Sequence, residues 1–164
     1  MIYEGIDFFN EEETMFINEL LLNFKEDEVP GYKRMEYRRD YYRQQVELLD
    51  SMNIKILDEI KKHTGKEATI NATWINRIDD KSNDSDDYHR DETDLSFIYY
   101  PTNSFNGGEL ECIVNNETIN KLIITNGFII LTNKVKHRVK PVISGVRWSI
   151  ASFCSFKQIP IKLV

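Results

Sequence analysis

His89 and Asp91 stand two residues apart in Tyr88-His89-Arg90-Asp91. In an extended strand such residues share a face, so an imidazole and a carboxylate converge while Arg90 points away. By itself the triplet is a weak signal, since solvated loops carry it by chance. A second imidazole, His137, lies in Val135-Lys136-His137-Arg138-Val139. Alternation turns it away from Lys136 and Arg138. An imidazole facing an apolar interior needs a partner, because an unpaired buried polar group is costly. Two imidazoles and one carboxylate around one ion form the facial triad that suits ferrous iron and leaves coordination positions open.

Ten residues past His137 comes Arg147, in Gly145-Val146-Arg147-Trp148-Ser149. Arg147 and Ser149 again share a strand face. A guanidinium aimed into an apolar interior is poorly satisfied without an anion, and its fork matches a carboxylate with two parallel hydrogen bonds. Two partners fit: a bound carboxylate ligand, or an internal acid such as Glu109 or Glu111.

The elements that must position these residues divide the chain in two. The first 65 residues read as helical. Asn10 with Glu13 has the form of a capping box, and Phe16, Ile17, Leu20, Leu21 and Phe24 follow at helical spacing. Val29-Pro30-Gly31 makes a turn. A second helical region is expected from Lys33. Arg38, Arg39 and Arg43 mix there with Tyr37, Tyr41 and Tyr42. That mixture is a face an RNA could use, but the stripe Val46, Leu49, Met52 or Asn53, Ile56, Leu57 and Ile60 makes it the solvated side of a helix. Lys61-Lys62-His63 suits a helix C-terminus, and Gly65 is the expected cap.

After Gly65 the texture becomes β-branched and aromatic. Strands are expected at 68–78, 95–100, 109–114, 119–124, 128–132, 136–142 and 146–156. Gly107-Gly108, Asn115-Asn116, Asn126-Gly127 and Ser144-Gly145 punctuate them. Helices first and short strands later predict an α+β layout, with helices packed outside a β sandwich or barrel. The 164 residues, 41% of them hydrophobic, suffice for one ordinary domain without disulfides. A net charge of −6 weighs against a nucleic-acid binder that relies on a basic face. Cys112 and Cys154 read as small buried apolar residues. No apolar run is long enough to span a bilayer, and the first residues lack a secretory pattern, so a soluble cytoplasmic protein is expected.

Taken in order, His89-x-Asp91, Gly107-Gly108-Glu109-Leu110-Glu111, Gly127-Phe128-Ile129-Ile130-Leu131 and His137-Arg138-Val139-x-Pro141-Val142-x-x-Gly145-x-Arg147-Trp148-Ser149 resemble the iron(II)- and 2-oxoglutarate-dependent dioxygenases, in their prolyl 4-hydroxylase-like branch. The resemblance spans residues 68–156. It implies a double-stranded β-helix (jelly-roll, cupin-like) core over that stretch, with residues 1–65 as helical support on one sheet of a single domain spanning 1–164. It implies that His89, Asp91 and His137 hold iron. Arg147 would bind the distal carboxylate of 2-oxoglutarate, helped by Ser149. Tyr100, rather than Tyr99, would reach the same carboxylate, and Asn76, on the strand of Trp74, would line the pocket. Fe(II), 2-oxoglutarate and O2 are the implied cofactor and cosubstrates, with ascorbate as a further candidate.

The implied reaction is hydroxylation of a protein or peptide side chain, proline among the candidates. The alternatives are hydroxylation of a free amino acid or other small molecule, and a metal- and 2-oxoglutarate-sensing module without turnover. Nucleic-acid demethylation is disfavoured, because that group carries a second arginine just past the first, where this chain has Ile150-Ala151-Ser152-Phe153. Asp91 argues against the halogenating variants, which lack the carboxylate ligand. A protein, peptide or small-molecule substrate is expected, and no nucleic acid or membrane. The acidic run 79–87 is a solvated loop in the simplest reading. Its alternative role is to cover a cationic substrate.

Overall fold

The computed structural model describes residues 1–22, 32–36, 46–81 and 87–158, without the side chains of 32–36 and 46–50. The order of elements is β1 (Ile2–Gly5), α1 (Glu11–Leu22), β2 (Tyr32–Glu36), α2 (Val46–Thr64), β3 (Ala68–Asp79), β4 (Leu95–Tyr100), β5 (Phe105–Gly107), β6 (Leu110–Val114), β7 (Glu117–Lys121), β8 (Gly127–Thr132), β9 (Lys136–Val139) and β10 (Val142–Phe156). No described helix is long and apolar enough to cross a membrane.

The strands form two antiparallel sheets. The larger has the order β1-β8-β4-β10-β3-β2, with β5 paired to the start of β10, and the smaller has the order β7-β6-β9. This is the layout of a double-stranded β-helix flanked by two helices. The central strands β4 and β8 are buried on both faces, as their near-continuous apolar sequences require. One face of the large sheet packs Phe97, Tyr99, Phe128, Ile130 and Ile150 against Phe16, Ile17 and Leu20 of α1 and Met52, Ile56 and Ile60 of α2. The opposite face turns Ile98, Tyr100, Ile129, Leu131 and Ala151 towards Leu110 and Cys112 of the small sheet.

Local signals account for the helix ends. The Asn10 side chain accepts from the Glu13 N–H at 2.9 Å, and the Glu13 carboxylate accepts from the Asn10 N–H at 2.9 Å. The same buried carboxylate meets Lys55 at 2.6 Å and so joins α1 to α2. Gly65, at φ 71°, donates to the Lys61 carbonyl and closes α2. His63 is half-buried at that end, 3.3 Å from Glu59 and against the ring of Tyr3.

Strand pairing changes several expectations. The first 65 residues are not helical throughout. β1 pairs with β8, and β2 lies in register with β3 from Tyr32 opposite Ile78 to Glu36 opposite Trp74. Residues 33–36 are therefore strand, because a partner edge outweighs local helical preference. Val29-Pro30-Gly31, Phe24 and the arginine–tyrosine mixture of 37–43 lie outside the described residues. β5 is too short to show alternation in the sequence. The strand expected at 119–124 lies instead at Glu117–Lys121, paired across the Asn115-Asn116 turn, whose residues have φ 52° and 66°. Pro141 lacks an N–H, and the stretch 136–142 breaks there into β9 and β10. Gly145 is a kink inside β10 rather than a strand boundary. It has φ 81°, and an added Cβ would stand 2.7 Å from the Ser104 carbonyl.

Cys112 and Cys154 are free and fully buried. Burial pushes their thiols up to about 11 and about 12, respectively. Both should resist an aromatic disulfide reagent in mildly alkaline buffer and react promptly after urea unfolding. Fast labelling of the native protein would contradict this packing.

Candidate metal centre and anion site

Two reciprocal backbone hydrogen bonds build the first half of the site. His89 N–H donates to the His137 carbonyl at 2.9 Å, and His137 N–H donates to the His89 carbonyl at 2.9 Å. The pairing is an isolated bridge rather than the extended strand expected around His89. A paired position in antiparallel backbone puts both side chains on one face, and the two rings lie 4.5 Å apart between centroids. Nε2 of His89 is 3.9 Å from Asp91 Oδ1, and Nε2 of His137 is 3.8 Å from Asp91 Oδ2. One donor atom from each residue falls within 4.8 Å of the others.

The opposite ring nitrogens have partners of their own. His89 Nδ1 lies 2.8 Å from the Asp87 carbonyl and His137 Nδ1 lies 3.3 Å from the Val135 carbonyl. An Nδ1–H that donates to a carbonyl fixes the tautomer and turns the Nε2 lone pair inward. His137 is 7% exposed and His89 is 45% exposed, so the cluster opens to solvent on the His89 side.

Behind the cluster, β10 supplies Arg147, which is 2% exposed. Its Nε donates to the Gly108 carbonyl at 2.9 Å, one terminal nitrogen to Ser149 Oγ at 3.2 Å and the other to the Tyr100 hydroxyl at 3.4 Å. Gly108 has φ 67°, and a Cβ there would lie 2.9 Å from Arg147 Cδ. The Gly107-Gly108 turn thus lets backbone reach the guanidinium. The internal-acid alternative does not hold among the described residues: Glu109 lies 3.8 Å from Lys140, and Glu111 pairs with Arg138. Burial pushes the Tyr100 phenol above its ordinary value, with Arg147 offsetting only part of it, so Tyr100 stays a neutral hydroxyl.

The His–Asp–His cluster and the guanidinium line one cavity of about 80 Å³ between the sheets. Its polar wall holds Asn76, His89, Asp91, Ser96, His137, Arg147 and Ser149. Asn76 sits opposite Ser149 across β3 and β10, and its buried Oδ1 has no hydrogen-bond partner among the described residues. Tyr99 faces the helices, with its hydroxyl 3.2 Å from Asn126. Trp74 is half-buried and does not line the cavity. Of the acidic run, Asp79 pairs with Arg77 at 2.6 Å, and residues 82–86 lie outside the described residues. A larger cleft of about 510 Å³ opens between β1 and β7, but its charged residues Glu4 and Lys121 pair with each other at 3.1 Å. It gathers no comparable donor set.

Sequence reasoning did not single out Ser96, whose hydroxyl donates to Asp91 Oδ2. Its shared parity with Tyr100, four residues on, is the signal that marks it as inward-facing. Also missed was a clip on the outer face. The Tyr88 hydroxyl donates to Glu111 at 2.8 Å, Arg138 donates to the same oxygen at 2.9 and 3.1 Å, and the guanidinium lies 4.4 Å above the Tyr88 ring. Tyr88 and Arg138 each neighbour a histidine of the cluster, so Glu111 ties the two segments from behind.

The family model described as the 2OG-Fe(II) oxygenase superfamily matches residues 60–155. The chain belongs to that superfamily. No curated protein matches the sequence. Among solved structures, a 2OG-Fe(II) oxygenase-family oxidoreductase from Burkholderia pseudomallei is 17% identical, with a TM-score of 0.77 over 94% of this chain and 84% of that one. A prolyl hydroxylase from Trichoplax adhaerens, in complex with a hypoxia inducible factor peptide fragment, is 14% identical, with a TM-score of 0.68 over 94% and 83%. HygX from Streptomyces hygroscopicus, with nickel and 2-oxoglutarate bound, is 7% identical, with a TM-score of 0.70 over 94% and 82%. At these identities the likeness is one of fold. The donor set of this 2OG-Fe(II) oxygenase suits its family's metal: two imidazole nitrogens and a carboxylate oxygen converge, and each ring is oriented from behind. The Arg147 pocket suits a carboxylate.

Tyr88 and Arg138 hold the Glu111 carboxyl below its ordinary value. A depressed folded-state pKa stabilises fully above the unfolded value of about 4.3 and is lost as pH falls through the folded value. Urea midpoints taken from about pH 6 to about pH 3 should therefore fall more steeply for the wild type than for Glu111→Gln. Parallel curves would remove the clip from the acid response.

Proposed function

We propose that the protein is an Fe(II)- and 2-oxoglutarate-dependent dioxygenase that hydroxylates a protein or peptide side chain, proline among the candidates. The observation that carries this is the convergence of His89, Asp91 and His137 in one cavity with a buried Arg147 whose hydrogen-bond partners among the described residues, Gly108, Ser149 and Tyr100, are all neutral. Iron bound there, with 2-oxoglutarate and O2, supplies an oxidant for an unactivated C–H bond, and 2-oxoglutarate leaves as succinate and CO2.

The chain's own residues divide the remaining work. His89 and His137 would hold the ion through Nε2, and Asp91 through a carboxylate oxygen. Arg147 has its Nε committed to Gly108, so its two terminal nitrogens are the ends that take the distal carboxylate of 2-oxoglutarate. Ser149 and Tyr100 now accept from that guanidinium, and each hydroxyl has a proton to donate to an arriving carboxylate. The Asn76 amide, opposite Ser149, is placed to bond a ligand in the same cavity. The sheets keep water from the anion end, and the half-exposed His89 marks the side from which substrate enters.

The prolyl hydroxylase neighbour with its peptide supports the peptide reading. The HygX structure with hygromycin B bound supports small-molecule hydroxylation as the second reading. The experiment is succinate release in air with Fe(II) and 2-oxoglutarate, with mass spectrometry for one added oxygen on candidate peptides and amino acids. Metal and 2-oxoglutarate binding without succinate, across both substrate classes, would favour a sensing module.

Two substitutions test the assignment of roles. His137→Ala should abolish binding of Mn(II), measured by calorimetry. Arg147→Ala should leave Mn(II) binding intact and weaken 2-oxoglutarate roughly a hundredfold, the value of a lost charge-assisted contact of about 2–3 kcal/mol. Unchanged 2-oxoglutarate affinity would move the anion site elsewhere.

A further inference from the structure

Asp91 differs from the two histidines in how it is held. His89 and His137 are locked by the backbone bridge and by carbonyls behind their rings. Asp91 lies between that bridge and β4, outside any strand and just before a bend at 92–94. The bend is anchored further along, where Asp94 accepts from the Phe156 N–H at 2.7 Å and from the Asn133 N–H at 3.0 Å. Neither contact sets the side-chain torsions of Asp91. Among the described residues, the group that bonds its carboxylate is the Ser96 hydroxyl, which donates to Oδ2. Ser96 is 1% exposed and sits in β4 between Leu131 of β8 and Phe153 of β10. A donor on a strand laddered on both sides is as fixed as any group in the molecule.

We propose that Ser96 is a positioning residue for the metal centre. It ties one oxygen of the Asp91 carboxylate to β4, so that Asp91 ligates through a single oxygen and the facing coordination positions stay open. The proposal rests on the metal-site reading given above. Without the hydroxyl, the carboxylate can rotate about its Cβ–Cγ bond, either losing its aim or taking the ion with both oxygens. Hydrogen-bond partners of metal ligands typically contribute tenfold to a hundredfold in affinity.

Co(II) is the probe, read by affinity and by visible absorption, which reports coordination number and geometry. In the full chain, Ser96→Ala should weaken Co(II) binding about tenfold to a hundredfold and alter the spectrum, with the apo-protein's thermal midpoint little changed. Ser96→Thr keeps the hydroxyl and should restore both. Ser96→Val fills the space without a donor and should behave like the alanine variant, so it decides the matter if that variant does not fold. Wild-type affinity and spectrum in Ser96→Ala or Ser96→Val would overturn the proposal while leaving the metal site standing. Co(II) binding equally to wild type and His137→Ala would overturn the metal site itself, and the role of Ser96 with it.

Discussion

The site depends on one backbone pairing, that of His89 with His137. Its two hydrogen bonds use no side chain, yet they decide where both imidazoles point. The same parity decides the neighbours. Tyr88 and Arg138 fall on the opposite face, where Glu111 accepts from both. A single register therefore sets the inner face as a donor cluster and the outer face as an ionic and aromatic clip. Slipping it by one residue would exchange the two faces, bringing an arginine and a tyrosine inward and sending both histidines to solvent.

The large sheet applies the same two-residue period at greater length. On β4, Ser96 and Ile98 line the cavity and Tyr100 shares their face, while Leu95, Phe97 and Tyr99 face the helices. Ser96 touches Asp91 and Tyr100 touches Arg147, so one strand reaches both ends of the site. Four residues of strand span roughly 13 Å. On β10, Arg147, Ser149, Ala151 and Phe153 line the same cavity. The inner faces tolerate these polar groups because the other parity has already supplied the apolar area that holds the helices down.

How much of this was legible follows from the range over which each signal acts. The capping box at Asn10 and Glu13, the cap at Gly65 and the strand at 95–100 are local, and the structure places them as the sequence implies. The opposing directions of Tyr99 and Tyr100 follow from alternation alone. β1 and β2 were not legible, because their strand character comes from partners distant in sequence, β8 and β3. The break at Pro141 was visible in the sequence, but its consequence, a new strand starting at Val142, depends on β5 being there to pair with it. Glu111 as the hub of a clip was equally hidden. Nothing local distinguishes it from Glu109, and only the register of β6 with β9 sets it opposite Arg138.

Arg147 raises the remaining physical question, which is why the fold retains a cation at that depth. Removing an unpaired charge from water costs several kcal/mol even after relaxation. Gly108 relieves part of that cost through its carbonyl, and the absence of a Cβ makes the approach feasible. The other two partners are hydroxyls, which can act in either sense. Towards the guanidinium, Ser149 and Tyr100 accept. Towards a carboxylate they donate, and burial keeps the Tyr100 proton in place for that purpose. A carboxylate in the same position as part of the chain would have neutralised the arginine permanently. With hydroxyls and a carbonyl instead, the charge is held in a fixed orientation. In the proposed function its compensation would fall to a carboxylate ligand, and part of the desolvation and ordering that binding requires would already be met by folding.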